Sequence, residues 1–193
     1  NAAAAQIICT ELGLNQSQID AGIASFNGLP HRTEIVAKLK LDSSEVTLVN
    51  DSKATNGMAA TQALMAYEAI YWCAGGVAKD DGLAPCLNAL ENVKHAYFYG
   101  QSAAEFKNQI AGRIPVTIVS DMEAATSLAF TAAKAASGHN VVLLSPAAAS
   151  FDMFKNFEVR GDSFRKIAQK LCQSYSDKDA PKNKTSPEKL EAC

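Results

Sequence analysis

The sequence predicts an α/β domain with a Rossmann-like, mostly parallel sheet, helices on both faces and a short helical segment before it. Five short apolar runs recur between Val46 and Ser145, and a helical stretch separates each run from the next. The runs are almost continuously apolar, as is typical of strands buried on both faces. With 48% hydrophobic and 20% charged residues among 193, the composition excludes a disordered or coiled-coil chain.

Helix formers and strand-like alternation mark the individual elements. Two lead-in helices are predicted over 2–12 and 16–25, followed by a break at the Gly-Pro segment 26–30. Segments 33–41 and 45–49 are predicted to pair as hairpin-like strands. The remaining predicted helices lie between the buried runs and after the last of them, over 57–67, 83–91, 103–110, 122–137 and 153–172.

Changes in composition divide the chain into three parts. Residues 1–27 form a helical lead-in, residues 28–173 the α/β domain, and residues 174–193 a polar tail that we expect to be flexible. The chain opens on Asn1 without a charged leader or a long apolar run, so we expect a piece of a longer protein with no membrane span.

Charge and cysteine content narrow the possible partners. Lys and Arg (18) nearly balance Asp and Glu (20), so we expect no nucleic-acid-binding surface. Five scattered cysteines and three histidines show no metal-ligand spacing, and we expect reduced, packed thiols and no metal site.

The most polar loop follows the first buried run. Residues 50–56 read NDSKATN, in which Asp51 can bind ribose hydroxyls and Lys53 can neutralise a phosphate or a carboxylate. Thr55 or Asn56 can cap the next helix while facing a ligand. An ordinary strand-to-helix turn with capping residues explains the same composition, and the residues alone do not decide between the two.

Two later loops carry groups suited to an anion. Gly75 and Gly76 permit close backbone approach, and Lys79 follows them. The run 145–157, SPAAASFDMFKNF, leads through small residues into the last helix, where Ser150 is predicted to be the N-cap of a helix end that can hold a carboxylate. Tight packing of that helix on the sheet is the alternative explanation of the small residues.

The connector at 29–32 contains Pro30, His31 and Arg32. Arg32 either reaches a phosphate or pairs with an acid at the surface. No Ser/His/Asp arrangement and no pair of catalytic carboxylates is supported anywhere in the chain, so the sequence predicts binding groups without a catalytic residue.

In their order and spacing, these motifs resemble the carboxyl-terminal part of the Mur ligases. The matching segments are 28–32, 50–56, 74–79 and 144–161, and the run SPAAASFDMFKNFEVRG is the most specific of them. That run is most similar to the members of the family that add D-glutamate. The resemblance covers about residues 1–172 and implies that residues 1–27 are the helical end of the central ATPase domain.

The resemblance implies a monomeric, ATP-dependent amide ligase of the bacterial cytoplasm that acts in peptidoglycan synthesis. In the family, ATP phosphorylates the carboxylate of UDP-N-acetylmuramoyl-L-alanine, and the amine of D-glutamate attacks the acyl phosphate. By matching position, D-glutamate would be bound by Thr55, Lys79, Ser150 and Phe157, the last through its backbone, and ATP by Arg32, Asp51 and Lys53, with His31, Asn56 and Asn156 as further candidates.

The resemblance also implies that Mg2+ and most of the ATP are bound outside this chain, which is expected to be inactive alone. Two alternatives stay open from the sequence. One is a Mur-type ligase for another amino acid, and the other is a non-catalytic binding module with the same fold.

Overall fold

A computed structural model describes residues 2–79 and 81–179. The helices are α1 (Ala2–Glu11), α2 (Gln16–Ser25), α3 (Gly57–Ala66), a 3-10 helix (Ala84–Asn92), α4 (Ala103–Gln109), α5 (Met122–Ala135) and α6 (Phe157–Asp179). The strands are β1 (Glu34–Lys40), β2 (Ser44–Asn50), β3 (Ile70–Gly75), β4 (Val77–Ala78), β5 (Val93–Tyr99), β6 (Val116–Ile118), β7 (Gly138–Leu144) and β8 (Ala148–Ala149).

Six strands form the central sheet in the order β1-β2-β7-β3-β5-β6. Only β1 runs antiparallel, pairing with β2 at one edge, and the other four pairings are parallel. Strand β7 enters the sheet between β2 and β3 although it follows them late in the chain. The strand order therefore reverses its direction at the centre of the sheet. Open α/β sheets bind ligands at such a point, beyond the carboxyl ends of the strands.

Helices cover the two faces of the sheet. On one face α3, the 3-10 helix and α4 pack on strand residues such as Trp72 and Phe98, and on the other α5 and α6 pack on residues such as Leu48 and Tyr97. The central strand β3 is buried along its whole length. The predicted α/β class with helices on both faces is therefore confirmed.

The lead-in helices form a hairpin that exposes apolar side chains. Asn15 caps α2 reciprocally with Gln18, which fixes the predicted start of that helix. None of the described residues of α1 is buried, and Ile7, Ile8 and Leu12 are each more than half exposed. None of the helices in the described ranges has the length and apolar character that a bilayer crossing requires.

The predicted helices at 83–91 and 153–172 differ most from the structure. The segment predicted as a helix at 83–91 is a 3-10 helix with proline in its first turn. The last helix begins at Phe157 and not at 153, because the side chain of Asn156 accepts the N–H of Val159 and caps the helix there. The same helix continues to Asp179, six residues into the segment predicted as a tail, and residues 180–193 lie outside the described part of the chain.

Candidate ligand site at the carboxyl edge of the sheet

Four neighbouring strands, β2, β7, β3 and β5, end at one edge of the sheet, and their loops are joined there by backbone hydrogen bonds. The N–H of Asp51 donates to Leu144 O at 2.7 Å, and the N–H of Gly75 donates to Pro146 O at 3.0 Å. Strands β4 and β8 pair as a short antiparallel ribbon, which ties the segment before Lys79 to the segment before Ser150. The structure therefore brings together the loops that contain Asp51, Lys79 and Ser150.

Asp51 is almost completely buried at the end of β2. The Ser145 hydroxyl donates to its Oδ2 at 2.8 Å, and the N–H of Thr33 donates to its Oδ1 at 3.1 Å. Burial raises the pKa of Asp51 to about 6, against the opposing effect of these two hydrogen bonds and of the nearby Arg32 charge. Each carboxylate oxygen has a second lone pair, so the group can still accept a ligand hydroxyl while it holds the connector at 31–33 against β7.

A cation–π pair joins Lys53, in the loop after β2, to Phe157, at the start of α6. The ammonium of the exposed Lys53 lies 4.4 Å from the centre of the Phe157 ring. The Phe157 ring and the His31 imidazole also pack in a T-shaped arrangement, with 6.2 Å between the two ring centroids. Phe157 is the first residue of α6, so its backbone N–H has no acceptor within the helix and is available to an anion.

His31 lies in a strained connector that β1 and α6 hold in place. His31 and Thr33 adopt positive φ angles of 61° and 45°. The Asn50 amide donates to Nδ1 of His31 at 3.1 Å, and the N–H of His31 donates to Glu34 at 2.9 Å. Gly161 leaves room for the His31 side chain beside α6, because a Cβ at position 161 would overlap the imidazole ring. The neighbouring Arg32 is exposed, whereas His31 is buried and serves the structure of the connector.

The structure adds a residue to which the sequence assigned no role, Arg160. Its guanidinium is fully buried in the first turn of α6. It donates to the Ser52 hydroxyl at 3.0 Å, to Ser52 O at 2.8 Å and to Ala148 O at 3.0 Å, with a longer bond of 3.5 Å to Gly75 O. Burial lowers the pKa of Arg160, and the charge of the Asp152 carboxylate opposes that effect.

Arg160 thus joins the ends of β2, β3 and β8 to the helix that begins at Phe157. In the sequence, the role of Arg160 is indicated only by its position next to a glycine in an amphipathic helix, within the run 145–161. Its partners are mostly backbone carbonyl oxygens, which residue types in a sequence do not indicate.

The remaining predicted site residues are placed as follows. Ser150 is buried and precedes a series of turns, so its predicted role as the N-cap of the last helix is wrong; Asn156 has that role. Asn56 caps α3 by accepting the N–H of Ala59 at 2.9 Å. Thr55 is half-buried beside it, and Lys79 is exposed directly after β4. Among residues 2–79 and 81–179, no cluster of His, Cys, Asp and Glu is suited to a metal ion.

Comparison with known proteins gives close sequence relatives and more distant structural ones. No family model matches the chain. It is 44% identical over 172 residues to the UDP-N-acetylmuramoylalanine--D-glutamate ligase of Mesorhizobium japonicum, covering 89% of this chain and 36% of that protein. It is 48% identical over 164 residues to the ligase of the same name from Dinoroseobacter shibae, covering 85% and 34%.

Solved structures match the fold. The UDP-N-acetylmuramate-alanine ligase MurC of Thermotoga maritima superposes with a TM-score of 0.59 at 12% identity, covering 92% of this chain and 37% of that one. Escherichia coli FolC in complex with ADP superposes with a TM-score of 0.55 at 19% identity, covering 91% and 39%. By its sequence, the chain is similar to the UDP-N-acetylmuramoylalanine--D-glutamate ligases, and it spans about a third of the length of the relatives that it matches.

Proposed function

We propose that the chain supplies the D-glutamate-binding part of an ATP-dependent ligase that joins D-glutamate to UDP-N-acetylmuramoyl-L-alanine. The observation that carries the proposal is the meeting of three predicted binding loops at the carboxyl ends of neighbouring strands β2, β7 and β3, in a chain 41–48% identical to ligases of that name. Because the chain spans about a third of those relatives, the activity is proposed for the protein of which it forms a part.

The proposed amino-acid site provides charge and donors for two carboxylates. Lys79 contributes an exposed ammonium, and Phe157 contributes an unpaired backbone N–H at the positive end of α6. Thr55 and Ser150 add hydroxyls from the loops after β2 and β8. Charge-assisted bonds of this kind recognise a dicarboxylate while leaving its amine free to react.

In the proposed reaction, the terminal phosphoryl group of ATP moves to a carboxylate oxygen of UDP-N-acetylmuramoyl-L-alanine, and ADP leaves. The amine nitrogen of D-glutamate then forms a bond to the acyl carbon. The bond between that carbon and the phosphate oxygen breaks, phosphate leaves, and the nitrogen loses a proton. This chain contributes by orienting the amine, since fixed geometry removes much of the entropic barrier to the second step.

The nucleotide role is proposed for Arg32, Lys53 and Asp51. Arg32 and Lys53 are exposed cations on the connector and on the loop after β2, as phosphate binding requires. The Asp51 carboxylate keeps free lone pairs for a ribose hydroxyl. The described residues do not provide a set of ligands for Mg2+, which we propose is bound by parts of the ligase outside this chain.

We also propose that residues 1–27 belong to a neighbouring domain of the ligase and that the α/β domain begins near residue 28. The exposed apolar side chains of α1 support this, because a helix without a buried face needs a packing partner. A monomeric state and the bacterial cytoplasm as the location are part of the same proposal.

A chimeric ligase tests the function. The segment of the Mesorhizobium japonicum relative that aligns with this chain is replaced by the chain, and phosphate release is measured with ATP and UDP-N-acetylmuramoyl-L-alanine. We expect release to depend on D-glutamate and to be at least about a hundredfold slower with L-glutamate or D-aspartate, because a misplaced charge leaves polar groups unpaired.

Three outcomes contradict the proposal in different ways. Preference for another amino acid identifies a ligase of different specificity. A folded chimera with no turnover, whose chain still shows D-glutamate-dependent NMR shifts, identifies a binding module without the reaction. A folded chain that shows neither turnover nor shifts removes the proposed amino-acid site.

A further inference from the structure

The turn between β5 and α4, residues 100–102, lies between two of the loops proposed to bind D-glutamate, although it contains none of the proposed contacts. On one side it meets segment 76–78, which leads to Lys79. On the other side it meets Asp152, two residues after Ser150. The turn is therefore placed to set the positions of both loops relative to each other.

Ser102 bridges the backbone of the segment that precedes Lys79. Its hydroxyl donates to Gly76 O at 2.9 Å and accepts the N–H of Ala78 at 2.7 Å, while its own N–H donates to Gly76 O at 3.0 Å. Ser102 is 5% exposed, so water does not readily replace these bonds. Because Gly76 and Ala78 are two residues apart in an extended segment, their backbone groups lie on one edge, and a single hydroxyl satisfies both.

The opposite side of the turn holds the loop after β8. The N–H of Gln101 donates to Asp152 Oδ2 at 3.0 Å. Gly100 has a φ of 74°, and a Cβ there would overlap the Asp152 carboxylate and lie 3.1 Å from the amide nitrogen of Gly76. The glycine is needed because both loops approach the turn this closely.

We propose that Ser102 is a positioning residue for D-glutamate, acting through the backbone at 76–78 on the placement of Lys79. The inference rests on the proposed function and extends it to a residue that does not touch the substrate. A charge-assisted hydrogen bond depends on the distance and alignment of its partners. Without the hydroxyl, Lys79 keeps its charge, but the segment that aims it loses two of its hydrogen bonds.

The test measures Michaelis constants of the chimeric ligase described above. We expect Ser102→Ala to raise KM for D-glutamate by about 5- to 30-fold, the effect of one or two neutral hydrogen bonds, with kcat and KM for ATP changed by less than about twofold. Ser102→Thr keeps the hydroxyl, and we expect it to stay within about threefold of the parent. An unchanged KM for D-glutamate in Ser102→Ala overturns the inference.

A double-mutant cycle separates positioning from a general structural role. If Ser102 acts through Lys79, adding Ser102→Ala to Lys79→Ala raises KM for D-glutamate by less than about twofold further. Independent, multiplicative effects overturn the inference. Thr131→Ala is the matched control, because it also deletes a hydroxyl that donates to a backbone oxygen, Ser127 O at 2.8 Å, but on the exposed face of α5.

Two further measurements separate failure of the inference from failure of the proposed function and from unfolding of the variant. A parent chimera without D-glutamate-dependent turnover refutes the proposed function itself, whereas an active parent with an unaffected Ser102→Ala refutes only the positioning role. If Ser102→Ala unfolds below the assay temperature, Ser102→Cys replaces it, because a thiol of similar size is a weaker donor and acceptor. An unchanged KM for D-glutamate in Ser102→Cys then overturns the inference.

Discussion

Replacing Arg160 by methionine tests whether one buried cation holds the candidate site together. The change keeps a long apolar stem and removes every donor. It leaves Ser52 O, Ala148 O and the Ser52 hydroxyl without the bonds of 3.0 Å or less that Arg160 makes to them. No carboxylate among the described residues forms a salt bridge with Arg160, so the guanidinium is stabilised chiefly by these oxygens.

The magnitude follows from the number of oxygens left unpaired. A buried acceptor without a partner costs about 1–3 kcal/mol. The Ser52 hydroxyl still donates to Phe157 O at 2.7 Å, and removing the cation also removes its desolvation penalty, so the total lies below the simple sum. We expect Arg160→Met to lower the free energy of unfolding by about 3–5 kcal/mol, and Tm by about 10 °C in a chain of this size.

Urea and thermal unfolding of the chain measure this effect, with Arg165→Met as the matched control. Arg165 lies on the same helix, but it is only partly buried and pairs with the carboxylates of Glu34, at 2.8 Å, and of Asp162. Each partly exposed ion pair contributes up to about 1 kcal/mol, so the same chemical change should cost less there. Arg160→Lys should recover less than half of the loss, because one ammonium cannot span oxygens on three segments. Equal stability of Arg160→Met and Arg165→Met would refute the reasoning.

Three further predictions concern pH, backbone and substrate. Burial raises the pKa of Asp51 from 3.8 to about 6, so the folded chain binds that proton more tightly than the unfolded chain, and the stabilisation present at low pH is lost as pH rises from about 4 to 6. The free energy of unfolding of Asp51→Asn, measured in urea, should therefore gain up to about 3 kcal/mol relative to the parent as the pH rises from about 4 to 6. A difference in unfolding free energy that does not change with pH contradicts the raised pKa of Asp51. Gly75→Ala should prevent folding or cost more than about 3 kcal/mol, because its Cβ would overlap Tyr99 O. Gly138→Ala, where φ is 82° and the space is open, should cost about 1 kcal/mol; similar losses for both would argue against the close approach. In the chimeric ligase, Lys79→Ala or Ser150→Ala should raise KM for D-glutamate by at least about tenfold, and unchanged kinetics in both would remove their proposed roles.

Local sequence signals predicted the elements well where each element depends on its own residues. Helix α2 begins and ends at the predicted residues because Asn15 and Gln18 cap it reciprocally. The start of α6 was predicted too early, since Ser150 and Asn156 are both acceptable caps by residue type. The loop after β8 continues in turns to Asn156, and Arg160 anchors the first helical turn to Ser52 and Ala148.

The candidate site could be located from the sequence but not assembled from it. Parallel strands place their carboxyl ends on one edge, and the loops at 50–56, 75–79 and 145–152 follow such strands, which is sufficient to bring the loops together. Which side chains are free for a ligand was not predictable. The structure shows Asn56 as a helix cap and His31 as a buried part of the connector, whereas Lys53 and Lys79 are exposed.

By itself, the sequence determined the α/β class, the order of the elements and the resemblance to the Mur ligases, because hydrophobic periodicity and short motifs lie within neighbouring residues. Only the tertiary structure decided the contacts of Arg160 and Ser102. Arg160 bonds to Ser52 across 108 residues of chain, and Ser102 bonds to Gly76 across 26. Their partners are mainly backbone groups, which every residue has, so only the folded arrangement determines which of these groups each side chain contacts.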